Sequence, residues 1–206
     1  MKDNFQISDI ETLERLYGKP AEASIKKEIA YVHPHYQRFI EASPFAVIAT
    51  SGPEGLDVSP RGDQIGFVQV ENEKTLLLPD RRGNNRIDSL RNIISDPRVA
   101  VIFFVPGIGE TLRVNGKAEI LIDPALLHRF SVDGKVPRSV LRIHVESVFF
   151  QCSRAVMRSR LWEADQHIDR SALPSLGTIL SDLTMGELDG KQYDKELPDR
   201  LKTTMY

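Results

Sequence analysis

Short apolar runs separated by turn residues fill the middle of the chain from Pro44 onward. The clearest run is Thr111–Ile122, where apolar and polar residues alternate with the period of two that is typical of a strand. Gly116 in its middle indicates a bulge or a sharp bend, as barrel strands need. The pattern predicts strands over Pro44–Thr50, Leu56–Arg61, Gly66–Val70, Thr75–Leu78, Arg98–Val105, Thr111–Ile122 and Ser139–Gln151.

Helical patterns precede, interrupt and follow these strands. Ser8 is expected to cap the first helix, and Glu11 three residues later completes a capping box. In the middle of the chain, the repeat of Ile87, Leu90, Ile93 and Ile94 predicts a helix with one apolar face. The other predicted helices are Ala23–Tyr31, Pro34–Glu41 and Pro124–Phe130, with weaker signals near Leu176–Leu183 in a polar, turn-rich tail.

The order of these elements predicts the fold class. A parallel sheet needs a crossover helix between successive strands, and there are too few helices for that. We therefore expect a mainly β, α+β protein with a six- to seven-stranded antiparallel barrel and flanking helices. The expected organisation is one domain over 1–206, with an N-terminal helical arm (1–42), a barrel core (43–165) and a C-terminal extension (166–206).

Composition excludes several classes of protein. The net charge of −2 gives no reason to expect nucleic-acid binding. No segment has the run of about 18 apolar residues that a membrane span needs, and the N-terminus lacks the apolar run of a secretory signal. The single Cys152 excludes an intramolecular disulfide, is expected to be buried, and fits a reducing compartment. We therefore expect a cytoplasmic protein.

One stretch, Leu76–Ile94, has the sequence pattern of an anion site. An apolar strand leads through a Gly/Asn loop into a helix start, where backbone N–H groups and the helix dipole favour an anion. Arg81, Arg82 and Arg86 add positive charge beside it. The alternative is an ordinary strand-turn-helix connection with solvated arginines. The stretch contains neither a P-loop nor a Rossmann fingerprint, so the residues alone leave both interpretations open.

Four segments resemble the pyridoxamine 5′-phosphate oxidase-like, FMN-binding split barrels, in particular the subgroup of probable FMN-dependent enzymes. They span about residues 40 to 165 and occur in the family's order. The resemblance implies a split barrel, FMN as cofactor, and a homodimer with FMN at the subunit interface. The four segments are Asp57–Asp63, Leu76–Ile93, Glu110–Ile120 and Phe149–Trp162.

The resemblance also implies which residues line the flavin groove. Arg61 stands where a lysine is common, and Arg86 supplies most of the charge at a phosphate position often written Ser-Arg-Lys. Thr111 stands where a glutamine often contacts the flavin. Arg158–Trp162 would come from the partner subunit, with Arg160 near the place of a substrate-binding arginine. The full set of expected contacts is Val58, Ser59, Arg61, Pro79, Asp80, Asn84, Asn85, Arg86, Thr111, Arg158, Arg160 and Trp162.

The chain departs from the family at the expected substrate motif. True pyridoxamine-phosphate oxidases have an Arg-x-His motif, whereas this chain has Arg158-Ser159-Arg160-Leu161-Trp162. This difference argues against pyridoxal phosphate synthesis, because a shared fold does not fix the substrate. We expect an FMN-dependent oxidoreductase acting on an unknown small molecule. The alternatives are a non-catalytic flavin-binding module, or a split barrel that binds haem or a deazaflavin. No catalytic residue and no metal ligand is assigned.

Overall fold

The structure, a computed structural model, describes residues 5–206. Seven strands form one sheet: β1 (Phe45–Gly52), β2 (Gly55–Gly62), β3 (Gln69–Asn72), β4 (Thr75–Asp80), β5 (Arg98–Phe104), β6 (Thr111–Leu121) and β7 (Ser139–Gln151). Their order is β2-β1-β5-β6-β7-β4-β3, and every neighbouring pair is antiparallel. Within the described chain β2 and β3 end this order without pairing to each other, which is the open seam of a split barrel. The predicted fold class is confirmed.

Eight α-helices accompany the sheet within residues 5–206. Three predicted helices, at Pro34, at Pro124 and at Leu176, are confirmed to within a residue at each end, and the predicted second helix is shorter than expected. The short α6 and the long α8 were not predicted. The helices are α1 (Ile10–Tyr17), α2 (Glu22–Lys26), α3 (Pro34–Ala42), α4 (Asp88–Ser95), α5 (Pro124–Arg129), α6 (Arg154–Ser159), α7 (Leu176–Leu183) and α8 (Gly190–Thr204).

Two helix starts differ from the prediction. The α1 cap is Asp9, whose carboxylate accepts the Thr12 N–H at 2.7 Å, and not Ser8. Helix α4 begins at Asp88, because Ile87 lies in the left-handed region with φ 54°. Its buried face is therefore Ser89, Asn92 and Ile93, while Ile94 is 79% exposed. The predicted apolar face of this helix was wrong at Ile87 and Ile94.

The predicted bulge at Gly116 is confirmed. Pairing between β6 and β7 shifts by one residue between Asn115 and Gly116, and the extra residue, Glu146, is on β7. A Cβ built on Gly116 would lie 2.1 Å from the main-chain oxygen of His144. Glycine is needed here because the two strands approach too closely for any side chain.

The barrel core is formed by alternate residues of the central strands. In β5, Val99, Val101 and Phe103 are buried, and each residue between them is only half-buried. A period of two places the buried residues toward the barrel interior and their neighbours on the opposite surface. The same alternation holds in β1 and in most of β6, so the inner face of the sheet carries the core.

The C-terminal extension forms a helical hairpin of α7 and α8, which pack mainly on each other. The hairpin closes tightly, since a Cβ on Gly177 would meet the Gly190 oxygen at 2.0 Å. Pro198 inside α8 is a helix breaker by pattern, which explains why the sequence did not predict this helix. Cys152, expected to be buried, is exposed just after β7. Within residues 5–206, each helix is too short or too polar to cross a membrane.

Candidate functional site

Strand β2 carries polar and charged side chains on one face and the apolar Val58 on the other. Asp57, Ser59 and Arg61 alternate along it and are half-buried on the side that faces α4, whereas Val58 between them is 66% exposed on the other side. The alternation follows from the strand period. Its inward side chains meet the start of α4, where Ser89 bonds to Asp57, and the end of β4, where Asp80 lies beside Arg61.

A cleft of about 620 Å³ opens between β2, the end of β4, the start of α4 and the start of β7. This volume lies in the range of roughly 300–1,000 Å³ typical of small-molecule sites. Five arginines and three aspartates are among its lining residues, so positive charge exceeds negative charge. The charged residues are Arg61, Arg81, Arg82, Arg86, Arg138, Asp57, Asp80 and Asp88.

Arg61 is the one cation that β2 contributes to the cleft. Its guanidinium lies 3.4 Å from the Asp80 carboxylate and donates to the Pro60 carbonyl at 2.9 Å, and its side chain is 18% exposed. Its Nη2 also reaches the Ser89 hydroxyl at 3.5 Å. The Nε is buried and has no hydrogen-bond partner within residues 5–206. A buried donor without an acceptor is costly, and the Nε atoms of Arg113 and Arg142, outside the cleft, share this property.

Ser89 and Asp57 connect the helix start to β2. The Ser89 hydroxyl donates to the Asp57 carboxylate, and Ser59 donates to the same oxygen at 3.0 Å. Ser89 is buried at the N-terminal end of α4. These bonds fix the relative positions of the strand and the helix that form the cleft wall.

Asp80, at the end of β4, is a half-buried carboxylate in the cleft. Burial raises its pKa above the ordinary value, while the Arg61 and Arg138 cations act in the opposite direction. Arg138 comes from the residue before β7 and donates to the Asn85 side chain at 2.9 Å. The cleft thus joins residues that are far apart in the sequence.

The loop between β4 and α4 carries backbone strain. Asn85 and Ile87 both have positive φ, at 64° and 54°. Asparagine tolerates this region, but a β-branched residue there is an outlier that costs on the order of 1–3 kcal/mol. Strain of this size clusters at ligand sites, and here it lies in the cleft wall.

Arg86 lies in the same loop but is mostly solvated. It pairs with Asp88 at 2.8 Å, and its side chain is 75% exposed. Its backbone N–H donates to the Asn84 side chain at 3.1 Å, so that amide is already occupied. Of the expected phosphate residues, Arg61 is held more firmly than Arg86.

The structure brings together seven of the twelve expected flavin contacts. Ser59, Arg61, Pro79, Asp80, Asn84, Asn85 and Arg86 all line the cleft.

The other five lie outside the cleft lining of the single chain. Val58 faces away from it, and Thr111 is buried and bonds to Gln151 at 3.3 Å. Arg158 and Arg160 are exposed, with Arg160 paired to Glu163 and Asp165. The Trp162 indole donates to the Ile108 carbonyl at 2.8 Å.

From the sequence, Arg81 was named beside the predicted anion site, but Asp57, Ser89 and Arg138 were not selected. Asp57 lies in one of the four segments that carry the resemblance, and the period of two along β2 could have selected it. Ser89 was hidden because the start of α4 was misplaced by one residue. Arg138 had no sequence signal, since the turn before β7 shows no pattern that points to a ligand.

Comparison with protein families supports the assignment of the fold. The family model described as pyridoxamine 5′-phosphate oxidase matches residues 32–152. The chain belongs to this family. The match covers β1 to β7 together with α3, α4 and α5, so it includes the whole sheet and the cleft. A search of curated proteins gives no match.

Solved structures with similarity to the chain share little sequence with it. HupZ from Group A Streptococcus is 21% identical with a TM-score of 0.48, over 59% of this chain and 94% of that one. General stress protein 26 from Bacillus anthracis is 15% identical with a TM-score of 0.42, over 55% and 88%. A related protein of the pyridoxinephosphate oxidase family from Clostridium acetobutylicum is 17% identical with a TM-score of 0.43, over 57% and 86%. The family assignment rests on the match over 32–152 and not on these similarities.

The residues of the cleft fit the charged end of a flavin nucleotide. A phosphate needs cationic donors with fixed geometry, and the cleft offers a half-buried Arg61 that is oriented by Asp80 and by the Pro60 carbonyl. The hydroxyl of Ser139, another lining residue, is buried without a partner within the described chain. Within residues 5–206, no group of three or more His, Cys, Asp or Glu is placed to hold a metal ion.

Proposed function

We propose that this member of the pyridoxamine 5′-phosphate oxidase family is an FMN-binding flavoprotein, and that it acts as an FMN-dependent oxidoreductase on a small molecule. The observation that carries the proposal is the arginine-rich cleft, in which five arginines outnumber three aspartates. Family membership supports flavin as the ligand, and the charge of the cleft supports a phosphorylated one.

The phosphate would be held mainly by Arg61, with Arg86 and the two loop asparagines at the rim. Guanidinium groups bind phosphate with two parallel hydrogen bonds and are favoured over single ammonium groups where geometry is fixed. Arg61 meets this condition because Asp80 and Pro60 orient it. Asp80 also keeps the guanidinium from leaving the cleft when no anion is present.

The flavin, when bound, supplies hydride or electron transfer, and the protein supplies binding and orientation. Ser59, Pro79 and Asp80 would line the cleft wall beside the cofactor. The buried Pro79 offers apolar contact, while Ser59 and Asp80 offer polar contacts. No protein nucleophile is required by this assignment.

We propose further that the active unit is a homodimer with FMN at its interface. The middle of the side of β1, β2 and β5 that points away from the core, here called the outer face, is apolar. The strand register places Val47 between Pro60 and Ile102, and Ala49 between Val58 and Ala100. The residues of the outer face are Val47, Ala49, Val58, Pro60, Ala100 and Ile102.

The occupant proposed for the outer face is a second copy of this chain. Strand β2 contributes Ser59 and Arg61 to the cleft and Val58 to the outer face, so cleft and face adjoin along one edge strand. Arg158, Arg160 and Trp162 do not line the cleft of their own chain. In the proposed dimer these three residues would approach the flavin of the partner.

The phosphate assignment is tested by titrating the full chain with FMN and measuring quenching of flavin fluorescence. We expect Arg61→Ala to weaken FMN binding by about 10-fold or more, since a hydrogen bond to a charged group contributes about 1.5–3 kcal/mol. Arg98→Ala is the matched control, because Arg98 is exposed and pairs with Asp96 outside the cleft. Equal affinity of Arg61→Ala and wild type would contradict the assignment.

Redox activity separates the enzyme from a flavin-binding module. If the protein is an oxidoreductase, NADH or NADPH bleaches the bound flavin and an added acceptor restores its absorbance. A flavin that binds but is never reduced supports the module instead. A Soret band in the purified protein would indicate haem, although none of the described residues that line the cleft is a histidine.

A further inference from the structure

Arg81 is a cleft arginine whose position is fixed by residues far from it in the sequence. Its Nε pairs with Asp63 at 2.6 Å, and its Nη1 donates to the Phe130 carbonyl at 2.6 Å. Its side chain is 15% exposed and that of Asp63 is 1% exposed. The remaining nitrogen, Nη2, makes no hydrogen bond to any residue in 5–206. Arg81 therefore presents one donor on a guanidinium whose orientation is already fixed.

Tyr206 completes the environment of Arg81 from the far end of the chain. Its hydroxyl donates to the second Asp63 oxygen at 2.8 Å, so Asp63 bridges Tyr206 and Arg81. The Arg81 Cζ also lies 5.5 Å from the centre of the Tyr206 ring. A cation within about 6 Å of an aromatic face is attracted to it. Two independent contacts thus join Tyr206 to this cleft residue.

The helix that leads to Tyr206 has few other attachments to the barrel. Helices α7 and α8 pack mainly on each other. Gly190 is the buried residue of α8, and it faces Gly177 of α7. The bridge through Asp63 is therefore a principal link between the end of the hairpin and the cleft.

We propose that Tyr206 is a positioning residue for the arginine cleft. It orients Arg81 through Asp63 and through the stacked ring, and it thereby couples docking of α8 to binding of a phosphorylated ligand. This inference rests on the proposed FMN site. Since coupling between two binding events is reciprocal, FMN also stabilises the docked α8.

The test uses the full chain and compares FMN with riboflavin, which lacks the phosphate. We expect Tyr206→Ala to weaken FMN binding by about fivefold or more, the lower end of typical coupling between sites. Tyr206→Phe keeps the ring and loses only the hydroxyl bond to Asp63, so a smaller loss of at least about twofold is expected. Riboflavin affinity stays unchanged in both variants.

Tyr193→Ala is the matched control, because Tyr193 lies on α8 and stacks with Arg200 away from the cleft lining. It should bind FMN as wild type does. Amide exchange in α8 should slow on addition of FMN in wild type and in this control, and not in Tyr206→Ala.

Three results would overturn the inference. In the first, wild type prefers FMN to riboflavin, and Tyr206→Ala binds FMN as tightly as wild type does. The inference then fails, while the proposed function stands. The variant could lose FMN and riboflavin affinity equally, which would show a structural role. If wild type itself fails to prefer FMN, the phosphate site and the coupling both fail.

Discussion

Arg86, to which the resemblance gives most of the phosphate charge, is held less firmly in the structure than Arg61 and Arg81. Arg86 is exposed and paired with Asp88. Arg61 and Arg81 are the fixed cations, because β2, β4 and the residues around Asp63 bury them. A sequence motif gives the position of a charge along the chain, whereas its burial depends on distant segments such as Phe130 and Tyr206.

Asp63 also makes the stability of the protein depend on pH. Burial alone would raise its pKa, but hydrogen bonds from the Gln64 backbone, Arg81 and Tyr206 outweigh it and hold the pKa below the ordinary 3.8. A carboxyl group whose pKa falls on folding stabilises the protein above its unfolded pKa. That stabilisation is lost as the pH falls through the lower folded value.

Asp63→Asn should therefore lower the free energy of unfolding at pH 7 by about 1–3 kcal/mol, as expected when a buried charge-assisted network is broken. The difference from wild type should shrink as the pH falls below 3.8. Urea unfolding of both proteins at a series of pH values measures this difference in the free energy of unfolding. Glu22→Gln, at an exposed pair with Lys26, should cost much less at pH 7. A difference that does not depend on pH would refute the ionic origin.

At the scale of elements, the pattern of apolar and polar residues predicted the sheet well. The period of two in Thr111–Leu121 and the glycine in its middle gave both the strand and its bulge. Helix ends were harder, because Ile87 continues the apolar repeat yet takes a left-handed conformation. Helix α8 was not predicted because Pro198 disfavours a helix locally, and the helix forms despite this preference.

Gly116→Ala should destabilise the pairing of β6 with β7. The added Cβ would lie 2.1 Å from the His144 oxygen, so one of the strands must move, at a cost of about 2 kcal/mol or more. Gly83→Ala is the control, since no heavy atom lies within 4 Å of its built Cβ. It should change stability by less than about 1 kcal/mol. Thermal or urea unfolding compares the stabilities of the two variants. Equal stabilities would be inconsistent with a close approach of β6 and β7 at Gly116.

At the scale of the whole molecule, the sequence could place the segments of the site but not assemble them. Seven expected contacts meet in one cleft because β2, β4 and α4 converge there. Thr111, Arg160 and Trp162 lie outside the cleft lining of the single chain. For Arg160 and Trp162 this agrees with the proposal that they approach the flavin of the partner. The resemblance supplied the homodimer, and the outer face now gives that proposal a location.

Val47→Asp should break the proposed dimer. It places a charge on the central strand of the outer face, between Pro60 and Ile102, where burial of an unpaired charge costs several kcal/mol, so dimer affinity should fall by about 100-fold or more. Light scattering coupled to size exclusion measures the mass. Ile94→Asp, on the exposed side of α4, should leave the dimer intact. A wild-type chain that loads FMN as a monomer would rule the dimer out.

The central claim is that the arginine cleft binds the phosphate of a flavin nucleotide, and its most direct test is the affinity of the wild-type chain for FMN against riboflavin. Both ligands share the ring, and the phosphate distinguishes them. The account predicts that FMN binds at least about 10-fold more tightly, because one charge-assisted hydrogen bond already contributes about that much. Equal affinities, or no binding of FMN, would contradict it.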